Sequence, residues 1–441
     1  MSTIASISTA PGIGGIGIIR MSGEKTFEIL GKIFQPKTYQ KIEDIKGYTI
    51  KYGHIIENKE IIDEVLVSYF KAPRSYTTEN MCEINSHGGN IIVKKILEMC
   101  LKNGAELAEP GEFTKRAFLN GRIDLAQAES VIDVINAKSD KEAKSGIKQL
   151  EGYLSSEIKG IKQEILDVLV NIEVTIDYPE YDTPEVQEQE IRQMLESVGN
   201  KLEKLEKSFD NGKIIKDGIK TAIIGKPNAG KSSLLNAILK EDRAIVTDIA
   251  GTTRDTIEEF VTINGIPLNL VDTAGIREAS DEVEKIGVEK SIKQANDADL
   301  IIAIFDSSKD LTDEDLEILE LIKNKKSIIL LNKSDLNAKI NENDSRFTKI
   351  TDNIIKISAL NKTGIDLLYE KISNMFNLNE INLDNDILIT NIRHKNIISK
   401  SLDNVKKSKE ALEMNLPIDI ITIYIKNVLE DLGEITGEVV T

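Results

Sequence analysis

At 441 residues the chain is long enough for about three domains with sizeable cores. It is 40% hydrophobic and 29% charged, has no apolar run near the ~18 residues of a membrane span and no secretory-type start, so the expected compartment is the cytoplasm, with no membrane partner. The net charge of −17 weighs against broad nonspecific nucleic-acid binding, and two cysteines without C-x-x-C spacing indicate neither a disulfide framework nor a zinc site.

Residues 1–118 read as a mixed α/β domain. Strand character falls at residues 4–8, 17–21, 47–54 and 65–70, and helical spacing at 27–33 and 91–101. The run Gly12-Ile13-Gly14-Gly15-Ile16-Gly17 satisfies G-x-G-x-x-G. It leads into a strand-like Ile18-Ile19 rather than a helix, and no acidic residue ends a second strand about 20 residues on. A glycine-rich turn is favoured over a dinucleotide site. Glu83 and His87 occupy a polar, glycine-rich corner, and His54, His87 and His394 make no metal constellation.

From about Gly121 the texture changes to long amphipathic helices over residues 124–206, interrupted at 177–184. The expected boundaries are 119–213 for a first helical part, 214–377 for an inserted nucleotide-binding domain, and 378–441 for a second helical part. The two helical parts are expected to pack together. The fold class expected is α/β and α: a mixed α/β domain, a long-helix bundle, and an inserted P-loop domain on a doubly wound, mostly parallel sheet.

The inserted segment carries the chemistry. Gly225-Lys226-Pro227-Asn228-Ala229-Gly230-Lys231-Ser232 fits G-x-x-x-x-G-K-[ST] between a buried strand at 220–224 and a helix from Ser233. Glycines let backbone N–H groups turn around a phosphate, Lys231 reaches the β/γ oxygens, and the Ser232 hydroxyl suits Mg²⁺. Asp272-Thr273-Ala274-Gly275, Asn332-Lys333-Ser334-Asp335 and Ser358-Ala359-Leu360 follow in order. The two oxygens of Asp335 match guanine's adjacent N1–H and N2–H₂ donors and reject adenine. The set predicts a GTPase that binds GTP and GDP.

Where Ras-type GTPases place a water-orienting glutamine, this chain has Ile276, so another group must serve; the acidic stretch at 278–284 lies nearby. Asn228 can help ligate a monovalent cation, with carbonyls of residues 247–252 completing a cage, or it can simply shape the loop. Thr253 is the switch threonine expected on Mg²⁺.

Beyond these generic motifs, several stretches resemble the MnmE (TrmE) family of tRNA-modification GTPases. They are Pro11-Gly12-x-Gly14-Gly15-x-Gly17-x-x-Arg20-x-Ser22-Gly23, His87-Gly88-Gly89 and Pro110-Gly111-Glu112-Phe113-Thr114-x-Arg116-Ala117-Phe118-Leu119-Asn120. Asp124-Leu125-Ala126-Gln127-Ala128-Glu129, Thr247-Asp248-Ile249-Ala250-Gly251-Thr252-Thr253-Arg254-Asp255 and Gly433-Glu434-Ile435-Thr436-Gly437-Glu438 extend the resemblance from end to end.

The resemblance implies a homodimer through a folate-binding N-terminal domain, and K⁺-stimulated hydrolysis through G-domain dimerisation. It also implies an FAD-dependent MnmG-like partner in a heterotetramer that adds an aminomethyl or carboxymethylaminomethyl group to C5 of the wobble uridine of tRNA. By the same resemblance, Asn228, Thr247, Ile249 and Thr252 match K⁺ ligands, Ser232 and Thr253 Mg²⁺ ligands, and Glu284 the water-orienting acid. Nucleotide contacts fall on 228–233, 247–253, 272–275, Asn332, Lys333, Asp335, Ser358 and Ala359, Ser233 included. Arg20, Glu83 and Arg122 match contacts to 5-formyltetrahydrofolate, and a carboxylate such as Glu83 suits a pterin's adjacent N–H donors. Arg122 stands where some members have lysine. The family's C-terminal Cys-x-Gly-Lys is absent from the chain, which ends at Thr441, so folate affinity is expected to be reduced rather than lost. The competing reading is an Era-like ribosome-assembly switch; the Pro110-Gly111-Glu112 motif and the long helical frame weigh against it.

Overall fold

The computed structural model describes residues 1–38, 45–177, 184–241, 259–270, 295–379 and 387–438. Cα packing divides the chain into two compact units, Met1–Val131 and the described residues from Ile132 onward.

The first unit contains β1 (Ile4–Ile7), β2 (Gly17–Ser22), α1 (Thr26–Ile33), β3 (Phe34–Pro36), β4 (Thr49–Glu57), β5 (Glu60–Phe70), β6 (Met81–Ser86), α2 (Asn90–Lys102), β7 (Glu106–Leu107) and α3 (Glu112–Leu119). α4 (Leu125–Asn136) begins at its end. The strands form one seven-stranded sheet in the order β3-β4-β5-β6-β2-β1-β7, with only β1 and β7 parallel. Alternation sorts its faces. Ile19 and Met21 of β2, Cys82 and Ile84 of β6, and Val65 and Val67 of β5 are buried with Ile29 and Leu30 of α1 and Ile96 of α2. The intervening positions, Arg20 and Glu83, are register partners on the other face.

The second unit opens with α5 (Asp140–Leu150), α6 (Tyr153–Asp177) and α7 (Pro184–Asp217). There follow β8 (Ile219–Ile224), α8 (Lys231–Glu241), β9 (Glu259–Ile263), β10 (Ile266–Leu270), β11 (Leu300–Asp306), α9 (Asp313–Ile322), β12 (Ser327–Asn332), α10 (Ser345–Thr348), β13 (Ile354–Lys356) and α11 (Ile365–Met375). It closes with α12 (Ile392–Glu413) and α13 (Ile418–Thr436). Its sheet runs β13-β12-β11-β8-β10-β9, parallel except for the β9–β10 hairpin. Parallel strands covered on both faces need apolar residues at every position. Ile223, Ile302, Ile304, Ile328 and Leu330 feed one core, while Ile224, Ile301, Ala303, Ile329 and Leu331 feed the other. This is the doubly wound sheet expected of the inserted domain.

In the helical part, α12 packs on α7 and α13, and α6 packs on α7 and α13. Segments on either side of the nucleotide-binding insert thus share one four-helix packing. The helical stretch breaks more often than its sequence pattern indicates. Ser139 caps α5 by accepting the Glu142 N–H at 3.2 Å, and Gly152 takes φ 86°, a conformation that side chains resist.

Candidate functional site

The phosphate loop lies between β8 and α8, as strand–loop–helix logic requires. Its backbone carries two left-handed residues, Asn228 at φ 62° and Gly230 at φ 107°. A Cβ on Gly230 would fall 2.0 Å from Asn332 Nδ2, and one on Gly225 would fall 2.5 Å from the Ile304 carbonyl. The glycines are therefore demanded by the approach of neighbouring strands as well as by the loop's shape. Lys231 folds its ammonium onto the Gly225 and Lys226 carbonyls at 2.5 and 2.8 Å. Burial pushes its pKa below the ordinary lysine range. Ser232 and Ser233 are exposed at the start of α8.

Asn332, at the end of β12, ties this loop to the other end of the motif set. Its Nδ2 donates to the Ala229 carbonyl at 2.8 Å, and its Oδ1 accepts the Ala359 N–H at 3.0 Å. One buried amide thus joins the phosphate loop to the Ser358-Ala359 segment. Lys333 sits at φ 62° and pairs with Asp306 at 2.7 Å. Burial of Asp306 opposes its ionisation, but the Lys333 and Ser308 hydrogen bonds prevail and hold its pKa below the usual carboxylate value. The exposed Asp335 accepts the Ser358 hydroxyl at 2.5 Å, which orients its carboxylate. Asn228, Ala229, Gly230, Lys231, Ser232, Asn332, Lys333, Asp335, Ser358 and Ala359 are thus placed at the C-terminal ends of β8, β12 and β13. That edge is where open α/β sheets bind ligands. Thr247, Asp248, Ile249, Ala250, Gly251, Thr252, Thr253, Asp272, Thr273, Ala274, Gly275 and Glu284 lie outside the described residues.

The first unit holds a second polar cluster. Arg20 Nε and Nη2 both donate to Glu83 Oε1, at 2.9 and 2.7 Å, across the β2–β6 register. The Arg20 guanidinium lies over Tyr76 and Phe113, 5.4 and 5.5 Å from their ring centres, and Arg122 lies 4.5 Å from the Tyr76 ring centre. Arg20 and Arg122 therefore meet at one aromatic ring, and Glu83 is joined to them through Arg20. The sequence reading missed Tyr76, which lies in no glycine-rich motif; a tyrosine inside the Arg-Ser-Tyr-Thr-Thr turn was the available signal. α3 holds that turn in place. Tyr76 Oη lies 2.8 Å from Thr114 Oγ1, Asn120 donates to the Thr77 carbonyl at 2.7 Å, and buried Arg116 pairs with Glu79 at 3.2 Å and Glu112 at 2.8 Å. These contacts account for Glu112, Thr114, Arg116 and Asn120 of the 110–120 motif.

The glycine-rich run at 12–17 packs against the His87 corner. Gly14 N–H donates to the Gly88 carbonyl at 3.3 Å, and a Cβ on Gly88 would meet Gly14 O at 2.4 Å. The run then enters β2, antiparallel to β1. Close backbone approach accounts for Gly88, and the Val93 side chain, 2.4 Å from a Cβ built on Gly17, accounts for Gly17; Gly12 and Gly15 have open space around them. Entry into a strand rather than a helix argues against a dinucleotide site. His87 is bound to Asp63 twice, Nδ1 to Oδ1 at 2.6 Å and backbone N–H to Oδ2 at 2.8 Å, and the carboxylate raises the imidazole pKa.

Comparison with known proteins matches the sequence to one family. Residues 125–441 match the model of the MnmE helical domain, and residues 3–122 that of the GTP-binding protein TrmE N-terminus. The chain is 50% identical over 441 residues to the tRNA modification GTPase MnmE of Clostridioides difficile (strain 630), covering 100% of this chain and 96% of that protein. It is 51% identical over 437 residues to the MnmE of Finegoldia magna, covering 99% and 96%, and 49% identical over 440 residues to that of Alkaliphilus oremlandii, covering 99% and 95%. Among the described residues no helix is long and apolar enough to cross a membrane.

Proposed function

The chain belongs to the MnmE family of tRNA modification GTPases and hydrolyses GTP; from that premise we propose that its hydrolysis depends on K⁺ and serves modification of the wobble uridine of tRNA. It acts with an FAD-dependent MnmG-like subunit in a heterotetramer, adding an aminomethyl or carboxymethylaminomethyl group at C5. A 5-formyltetrahydrofolate-type molecule supplies the one-carbon unit, and the N-terminal domain carries the homodimer contact. The cytoplasm is the compartment.

The observation that carries the nucleotide reading is Asn332, which links the Ala229 carbonyl to the Ala359 N–H. A purine base held by Asp335 and the 358–359 segment is thereby set at a fixed distance from phosphates held by the loop. Lys231 neutralises phosphate charge from a desolvated position, where its field is least screened. Ser232, with Thr253, would hold Mg²⁺, which offsets charge on the β/γ oxygens. Asn228, with Thr247, Ile249 and Thr252, would hold K⁺, which contributes positive charge beside the same phosphates. As the family resemblance implies, Glu284 orients the attacking water, a role Ile276 cannot fill.

The folate reading is supported by the donor set around Tyr76. The ring offers a flat face, Glu83 a carboxylate, and Arg122 a cation for an anionic tail. Arg20 is engaged by Glu83, so it orients that carboxylate as well as offering charge.

The test is mass spectrometry of tRNA nucleosides from a deletion strain, complemented with this chain or with its Lys231→Ala variant. The expected result is loss of the C5 group on wobble uridine, restored by the first and not by the second. Unchanged wobble uridine in the deletion strain, with a defect in ribosome assembly instead, would overturn the reading.

A further inference from the structure

Lys226, the first variable residue of the phosphate loop, does not point to solvent. Its ammonium lies 2.6 Å from Asp315 Oδ2 and 2.7 Å from Thr312 Oγ1, at the start of α9. The Asp315 side chain is only 5% exposed, against 21% for Lys226. The same Oδ2 accepts the Thr312 N–H at 2.9 Å, so the carboxylate is locked by the helix cap it helps to form. The cap is therefore a rigid anchor and the loop lysine is tied to it.

The other end of Lys226 bears on the site itself. Its carbonyl accepts the Lys231 ammonium at 2.8 Å and the Ala229 N–H at 3.2 Å. Two residues on, Asn228 occupies a left-handed conformation that a non-glycine residue adopts only when its surroundings hold it there. Asn332 secures the loop at Ala229; the Asp315–Lys226 pair secures it at the opposite end. Phosphate binding needs several N–H groups held convergent at once, and a loop fixed at both ends has less freedom to lose on binding.

We propose that Asp315 is a positioning residue for the nucleotide site: through Lys226 it holds the phosphate loop in its ligand-ready form and so slows nucleotide release. It touches no nucleotide atom and leaves the hydrolytic step unaltered. The inference rests on the loop being the nucleotide site, which binding of GDP by the unaltered protein establishes separately.

The experiment is stopped-flow release of N-methylanthraniloyl-GDP, with single-turnover hydrolysis, on the full chain. Lys226→Met cuts the tie and leaves the Thr312 N–H to Asp315 bond of the cap in place; Lys226→Arg preserves the tie; Asp315→Asn weakens it from the other side. Release is expected to be roughly three- to tenfold faster in Lys226→Met and Asp315→Asn, the range for one partly exposed charged contact, and near the original in Lys226→Arg. The double variant is expected to be no faster than the faster single one, because both remove the same contact. In Asp315→Asn, which lies outside the loop, KM should rise while the single-turnover rate at saturation stays constant. Asp315→Asn also separates this role from direct attraction between Lys226 and the phosphates, since freeing the ammonium would then slow release. Slower release in Asp315→Asn, unchanged release in Lys226→Met, or multiplicative effects in the double variant would each overturn the proposal. A lowered melting temperature with unchanged release would do so too, by reducing the pair to a helix cap.

Discussion

Gly230 shows how much of the site depends on single atoms. Its φ of 107° and the 2.0 Å separation between a built Cβ and Asn332 Nδ2 leave no room for a methyl group. Gly230→Ala must either displace the Asn332 amide or unwind the loop, so guanine nucleotide binding should fall by at least about tenfold while the fold persists. Isothermal calorimetry with GDP, beside circular dichroism, is the check. Retained affinity would mean that the Asn332 bridge is dispensable. Glu83 poses the corresponding question in the first unit. Charged hydrogen bonds are worth about 1.5–3 kcal/mol each, so Glu83→Ala should weaken 5-formyltetrahydrofolate binding by roughly ten- to a hundred-fold. The change also releases Arg20 from its partner, so a tighter rather than weaker complex would show that Arg20, not Glu83, dominates recognition.

At the scale of elements, Asp63 on β5 reaches across to the segment after β6 and holds the His87 corner by two contacts. The carboxylate raises the imidazole pKa above its unfolded value. The pair's contribution to stability is therefore complete below about 6.5, the unfolded histidine value, and is lost as pH rises through the folded value. Asp63→Asn should move the His87 titration back toward the ordinary range, readable by NMR, and should flatten that part of the pH dependence of melting. An unmoved titration would mean that the Asp63 contact is not what raises it. α3 has a similar bracing role. With Arg116 buried against Glu79 and Glu112, it fixes the turn that presents Tyr76, so a motif on one helix shapes a site made by residues of other elements.

For the whole molecule, the chief expectation is cation dependence. A monovalent cation held by Asn228 and the 247–252 segment should be selected by size, so hydrolysis in K⁺ should exceed that in Na⁺ by at least about tenfold. Steady-state phosphate release in matched chloride buffers measures this. Equal rates would remove the cage. Asn228→Ala should abolish the difference while nucleotide binding remains. The position of Asn228 at φ 62° shows that it also shapes the loop, so the binding control matters.

The phosphate loop was legible because its chemistry is local: consecutive residues between a strand and a helix determine where their own N–H groups point. The strongly periodic segments gave their elements, with α-helices and strands where apolar spacing demanded them. Breaks at Ser139 and Gly152 were less visible, because a cap and one left-handed glycine leave the apolar period almost intact. What the tertiary structure decided were the meetings of distant residues. Tyr76 joins Arg20 and Arg122 only once β2, β6 and the turn before β6 are assembled, and Lys226 finds Asp315 only when α9 is packed beside the loop. Sequence carries periodicity and local hydrogen-bonding demands; which side chains then face each other depends on strand order and register, and those are settled by burial of the two sheets' apolar faces.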